Sequence, residues 1–329
     1  MLIKKCKNII FEKTGECNVL TIKSEELQNI KDDEIIIDQK AIGINYIDIY
    51  HRTGLYELPL PSKIGLEAAG IIIEKGKNVS NLSVGDRVAY ASMPLGSYCD
   101  YRIISAKSVC KVPNEISLNE AAGLMLKGLT VEYLFNRITK ISAGENILFH
   151  AAAGGVGLLA CQWAKSEGVN MIATAGTDDK CQLALQNGAK YAINYRKEKF
   201  EKRVMEITQN KGVNVVMDSV GKETFLSSLN CIRPLGMMIS FGNSSGKIPP
   251  FDIQVLQSKG SLKITRPSLF NPFLMETKTY QDMTKNLFEK VTNKEIKINI
   301  GKTFKFEEVT KAHMELEDRK TFGSIVINL

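Results

Sequence analysis

The chain has 329 residues, a formal net charge of +7, 44% hydrophobic and 24% charged residues. That length suggests two domains with cores large enough to need no disulfide or metal, and the composition excludes a mainly disordered chain. No run of about 18 apolar residues is present, so no membrane-spanning helix is expected.

Runs rich in Ile, Val and Tyr at 34–38, 69–74, 87–90 and 98–104, punctuated by Gly, Asn, Ser and Pro, predict a β-rich first third. Gly85-Asp86 and Met93-Pro94-Leu95-Gly96 supply turns. Ser117 and Glu120 stand at capping-box spacing ahead of the apolar run 121–126, which predicts a helix start. From about 145 strands and helices alternate. Strands are expected at 146–149, 170–174, 191–194, 213–217 and 237–241, and helices at 156–165, 180–186, 198–208 and 223–231. This order predicts an α/β fold with a doubly wound parallel sheet and right-handed crossovers. The tail predicts a helix at 277–291, a strand at 297–304, a helix at 307–317 and a strand at 324–327. No internal repeat or low-complexity segment is present.

Strand 146–149 runs into His150-Ala-Ala-Ala-Gly-Gly-Val-Gly157 and then into a helix. Ala152, Gly154 and Gly157 occupy the three small positions of a dinucleotide loop, with Gly155 and Val156 between them. Such positions allow a tight turn, close backbone approach to a pyrophosphate, and close helix–strand packing. Free N–H groups at the helix start then face the phosphates. The second strand ends in Ala173-Thr-Ala-Gly-Thr177, without the acid that would hold the 2′-hydroxyl of NAD. Gly176, Lys180, Tyr195 and Arg196 are small or cationic or polar and suit a 2′-phosphate, so NADP(H) is expected. Asp178 and Asp179 count against this, and their alternative role is to cap the next helix.

At this point the chain resembles the zinc-independent quinone oxidoreductases, zeta-crystallin-like, of the medium-chain dehydrogenase/reductase superfamily. The resemblance is carried by Ala41-Ile-Gly-Ile-Asn-Tyr-Ile-Asp48 with Tyr50, Gly65-Leu-Glu-Ala-Ala-Gly70, Leu126-Lys-Gly-Leu-Thr130, the segments 151–157 and 216–221, Ser240-Phe-Gly-Asn-Ser-Ser-Gly246 and Thr265-Arg-Pro-Ser-Leu269. It implies a GroES-like β-rich catalytic domain formed by residues 1–126 and 266–329, around a Rossmann NADPH-binding domain at 127–265. It also implies an active site in the cleft between them. By motif, Asn45 and Tyr50 would face the nicotinamide and substrate, with Thr130 near the nicotinamide. Gly176, Lys180, Tyr195 and Arg319 would surround the 2′-phosphate. Phe241, Gly242 and Asn243 would line the nicotinamide ribose, and Arg266 the cleft. Assembly as a homodimer or homotetramer through an edge strand at 261–265 is implied as well.

Zinc members of the superfamily carry a catalytic Cys and a Gly-His-Glu. Here Gly65-Leu66-Glu67 places Leu in the ligand position, and the Asn45 segment has no Cys, so no metal is expected. The seven cysteines, at 6, 17, 99, 110, 161, 181 and 231, include no C-x-x-C pair and suggest free thiols in a reducing compartment. With no apolar core of a secretory signal at the start, a cytoplasmic protein is expected. Of the histidines, His150 is expected as a hydrogen-bonded core residue, and His51 is the one that stands beside a candidate site residue, Tyr50.

NADPH-dependent reduction of a quinone is the leading expectation. Reduction of an α,β-unsaturated carbonyl on the same scaffold is the alternative, and fold analogy does not separate them. A third class is an RNA-binding or structural protein. Residues 128–265 hold 16 Lys and Arg against 11 Asp and Glu, and the run 196–203 is the basic footprint. Its interleaved Glu and Lys describe a solvated helix, without an RNP aromatic signature, and nucleic acid is not expected as a partner.

Overall fold

Three consecutive isoleucines, Ile35, Ile36 and Ile37, begin the eleven-residue strand Glu34–Ile44. β-Branched side chains suit an extended backbone packed on both faces, and Ile35, Ile37, Ile42 and Ile44 all enter one hydrophobic core. One edge of the strand pairs antiparallel with Glu67–Lys75. The other edge is shared: Tyr101–Ser105 takes its first half and Ser324–Asn328 its second. Arg87–Ala91 and Cys110–Lys111 extend the sheet on one side, and Ile300–Lys305 on the other. Tail strands thus complete a sheet begun in the first third. A smaller sheet joins Thr21–Glu26, Lys5–Phe11 and Ser62–Lys63.

The computed structural model describes residues 5–318 and 321–329, and these divide into two units. The first takes the described residues of 1–129, 272–294 and 298–329; the second takes Thr130–Asn271 and Glu295–Lys297.

The second unit is built on a six-stranded sheet, among the described residues, in which every neighbouring pair is parallel. Its spatial order is Tyr191–Asn194, Asn170–Ala175, Asn146–Phe149, Val213–Asp218, Ile232–Ser240 and Lys263–Thr265. The first strand in sequence is therefore central. The chain turns outward in one direction, returns, and turns outward in the other, and ligands of such sheets bind where the order reverses. Ile147, Leu148 and Phe149 are buried, as expected of a strand covered on both faces. The helix Gly155–Ser166 buries Leu158, Leu159, Cys161 and Trp163.

Elements that differ from the sequence expectation include the strands expected at 98–104 and 297–304, which run over Tyr101–Ser105 and Ile300–Lys305, and three elements of the second unit. The fifth strand begins at Ile232, because residues 233–236 bulge through Pro234 and a left-handed Leu235 instead of ending it. The helix expected at 223–231 is α-helical only over Phe225–Ser228 and then tightens into a 3-10 turn, Leu229–Cys231. The expected edge strand at 261–265 begins at Lys263. Among the described residues no helix is long and apolar enough to cross a membrane.

Candidate active site

Hydrophobic strand Asn146–Phe149 delivers the chain to the glycine loop. Ala151 takes a left-handed backbone, φ 56°, which is costly for a residue with a side chain and marks the turn as constrained. Sequence reasoning gave Ala151 no role, since alanine carries no signal for that conformation. Ala152 N–H then bonds Thr174 O at 3.1 Å, tying the loop to the next strand. Gly154 stands at the N-cap of Gly155–Ser166, and no side chain caps the first turn. A Cβ on Gly157 would lie 2.5 Å from the Ala152 backbone, so only glycine lets the helix sit this close to the loop. An uncapped helix start behind a tight glycine turn offers N–H groups to an anion.

The end of the second strand is also built for close approach. A Cβ on Gly176 would meet the Tyr195 hydroxyl at 2.7 Å, with Arg196 Nε at 3.5 Å. Gly176, Tyr195 and Arg196 therefore gather in one place, one helical turn before Lys180. The cap of the following helix corrects an expectation: Thr177 is the N-cap, and its Oγ1 accepts from Lys180 N at 3.3 Å. Asp178 instead accepts from Asn194 Nδ2 at 2.7 Å and pairs with Lys197. Both contacts hold its carboxyl below the usual range. Of the two acids that argued against a phosphate, Asp178 is thus already matched to a cation.

At the far side of the sheet, Arg266 donates to Ser240 Oγ at 2.8 Å and to Gly242 O at 2.9 Å. Asn243, with its amide oriented to suit both neighbours, accepts from Arg266 Nη2 and donates to Gly242 O, each at 2.9 Å. Phe241 stacks at 5.7 Å from Phe149. Arg266, Phe241, Gly242 and Asn243 are brought together at the strand ends. His150 bridges Thr174 Oγ1 at 2.9 Å and Ser228 Oγ at 2.8 Å, edge-on to Phe200, and is a core hydrogen-bonding residue.

In the first unit Asn45 begins the helix Tyr46–Thr53, and Asp48 Oδ2 accepts from its backbone N–H at 2.9 Å. Tyr50 lies on this helix between two rings, Tyr46 at 5.6 Å and Tyr56 at 5.0 Å. Tyr46 and Tyr56 were not singled out from sequence; the i, i+4 spacing of Tyr46 and Tyr50 was the available signal. His51 is buried, its Nδ1 has no hydrogen-bond partner, and burial pushes its ring down to about 4. A ring without an orienting partner is a poor acid–base catalyst. Of the remaining expected residues, Thr130 lies in the second unit and Arg319 lies outside the described residues. Leu66 is buried, and among the described residues no group of three or more His, Cys, Asp or Glu is placed to hold a metal ion. All seven cysteines are free and buried.

A GroES-like β-unit with a glycine-loop parallel sheet is the construction of the medium-chain dehydrogenase/reductase superfamily. Residues 31–141 match the family model of the alcohol dehydrogenase GroES-like domain, and residues 155–289 that of zinc-binding dehydrogenase. A quinone oxidoreductase of Pseudomonas aeruginosa is 42% identical over 98% of this chain and 99% of its own. The crystal structure of Escherichia coli quinone oxidoreductase complexed with NADPH superposes with a TM-score of 0.96 at 43% identity, covering 98% of this chain and all of that one. A 2-haloacrylate reductase of a Burkholderia species is 38% identical over 89% of this chain and 90% of its own. The chain belongs to the zinc-independent quinone oxidoreductases of that superfamily.

Proposed function

We propose that this chain reduces quinones with NADPH and without a metal. The observation that carries the cofactor is the end of strand Asn170–Ala175: Gly176 leaves room for the Tyr195 hydroxyl beside Arg196, and no carboxylate ends the strand. Gly154, Gly155, Val156 and Gly157 would hold the pyrophosphate. Gly176, Lys180, Tyr195 and Arg319 would hold the 2′-phosphate, and Phe241, Gly242, Asn243 and Arg266 the nicotinamide side. Bound there, NADPH would supply the reducing electrons. The E. coli relative is described in complex with NADPH, which supports the same choice.

On the substrate side we assign Asn45, Tyr50 and Thr130, all neutral hydrogen-bonding groups. A quinone is already a strong acceptor of electrons, so holding it in place accounts for most of the rate. Tyr50, between two tyrosine rings, gives the hydrogen bond to the oxygen on which charge develops. In this reading the first unit carries Asn45 and Tyr50 of the substrate side, and the second carries Thr130 and the cofactor-binding residues other than Arg319. A homodimer or homotetramer built on the edge strand Lys263–Thr265, and a cytoplasmic location, complete it.

Steady-state oxidation of NADPH against a panel of quinones and enals tests the proposal. Turnover of quinones with a preference for NADPH is expected. The 2-haloacrylate reductase relative favours a second reading, reduction of α,β-unsaturated carbonyls. Enals turning over far faster than any quinone would establish that reading instead. Salt-dependent RNA binding displaced by NADPH would revive a nucleic-acid role.

A further inference from the structure

Two charged residues that the reaction does not use lie fully inside the first unit. Glu67, in the strand Glu67–Lys75, has no exposed surface, and the Lys127 side chain is 8% exposed. Burying a carboxylate is costly unless donors surround it. Glu67 Oε1 accepts from Leu126 N–H at 2.7 Å, and Oε2 accepts from Asn45 Nδ2 at 2.7 Å and from Lys127 Nζ at 3.4 Å. Lys127 also donates to Ile44 O at 3.2 Å. Every contact on the carboxyl is a donor. Space has been cleared for it too: a Cβ on Gly43 would fall 2.2 Å from Glu67 Oε2 and 2.1 Å from Ala122 O. Glycine at 43, Asn at 45, Glu at 67 and Lys at 127 thus form one assembled cluster, although they come from a strand end, a helix cap, a second strand and a second helix.

We infer that Glu67 and Lys127 are positioning residues, which hold the Asn45 carboxamide with its NH2 turned inward and leave its oxygen as the group it can present. The amide NH2 is committed to Glu67 and, at 3.4 Å, to Gly43 O. Asn45 then does not donate to a developing oxyanion; its oxygen, which faces the Asp48 N–H in the capping box, keeps a second lone pair to accept from a donor such as a primary amide NH2 or a hydroxyl. Donation to the oxyanion falls to Tyr50. Lys127 supplies the positive charge that keeps the buried Glu67 an acceptor for the amide. Burial by itself pushes the Glu67 carboxyl upward, against Lys127, Asn45 and the Leu126 N–H. The other titratable groups whose fields reach it are Asp48, Tyr98 and Tyr280. The part of this inference that concerns turnover rests on the assignment of Asn45 to the reaction; the orientation of its amide does not.

Asparagine-selective 15N labelling of the free protein separates the two, with the Asn45 side-chain resonances identified by their loss in Asn45→Asp. In wild-type protein the Asn45 NH2 should exchange slowly with solvent. In Glu67→Gln its resonances should move and exchange faster, and kcat for a quinone should fall roughly tenfold with KM for NADPH little changed. Lys127→Met should do the same and move the acidic limb of the kcat profile to higher pH, because the carboxyl loses its cation. Lys127→Arg should restore both. An Asn45 NH2 in wild-type protein that exchanges as freely as a surface asparagine overturns the inference, even if no variant folds. Resonances in Glu67→Gln that coincide with those of wild type also overturn it. Resonances that move while kcat stays unchanged support the positioning of the amide and refute the catalytic assignment of Asn45 instead.

Discussion

Lys180 follows an N-cap threonine by one turn, beside a glycine notch that admits a tyrosine hydroxyl. A charge-assisted contact to a phosphate contributes about 1.5–3 kcal/mol. Lys180→Ala should therefore raise KM for NADPH roughly tenfold to a hundredfold and leave NADH little changed. Equal constants for the two cofactors in the parent protein would refute the assignment of the pocket. Tyr50 is a different case, because its ring is held on both sides by tyrosines and loses only a hydroxyl on conversion to Phe. A single hydrogen bond to a developing oxyanion is worth about 1.4–2.7 kcal/mol, so Tyr50→Phe should lower kcat with a quinone roughly tenfold to a hundredfold without abolishing it. Full retention of activity would show that Tyr50 has another task.

The helix Leu118–Tyr133 shows what a local signal can establish. Ser117 N–H donates to Glu120 Oε2 at 2.8 Å, and Glu120 N–H donates to Ser117 Oγ at 3.2 Å. The reciprocal cap expected from the Ser-x-x-Glu spacing is formed. Ser117→Ala should lower stability by about 1 kcal/mol, read as a shift in urea midpoint at constant slope, and leave NADPH affinity unchanged. Strands of the parallel sheet were legible for a similar reason: Asn146–Phe149 and Tyr191–Asn194 are short apolar runs bounded by turns, and both have the expected ends. Ile232–Ser240 was legible only in part, since Pro234 and Gly236 signal a stop and a bulge resolves the conflict through tertiary pairing. The helix Tyr46–Thr53 escaped periodicity because it is eight residues long and three of its five buried residues, Asp48, His51 and Arg52, are polar or charged. Its candidate role came from motif resemblance alone. The Glu67–Lys127–Asn45 contact had no local signal, since its members are far apart in sequence; each stands in a segment that carries the family resemblance, but no spacing showed that they meet.

Buried titratable groups set how the whole molecule responds to pH. His51, His150 and His313 are 7%, 1% and 0% exposed. Burial holds all three below the usual histidine value: His51 at about 4, His313 at about 3 with Arg52 adding to the effect, and His150 lower against the pull of Asp218. As pH falls below about 6.5, the unfolded chain takes up protons on these rings that the folded chain resists, nearly a full proton each at His51 and His313, and stability is lost. Asp48 acts in the opposite sense. Burial raises it from 3.8 to about 7, so its contribution is complete below pH 3.8 and is lost as pH rises through about 7. Between about pH 5 and 6 His51 and His313 outweigh Asp48 by roughly one proton, with His150 adding to the loss and the raised Glu67 opposing it, and stability should fall by about 1 kcal/mol per pH unit on acidification. Urea midpoints measured from pH 5 to pH 8 check this. Asp48→Asn removes one opposing group, so its loss of stability below pH 6 should be steeper than that of wild type. His313 links Tyr98 Oη at 3.2 Å to Arg52 Nη1 at 3.5 Å. His313→Gln keeps a polar side chain there without a titrating ring, so its loss should be shallower by about one proton, near 1.4 kcal/mol per pH unit. A urea midpoint of Asp48→Asn that does not move between pH 5 and pH 7 would mean that the buried histidines are charged in the folded protein, and the network from Arg52 through His313 to Tyr98 would then need another proton arrangement.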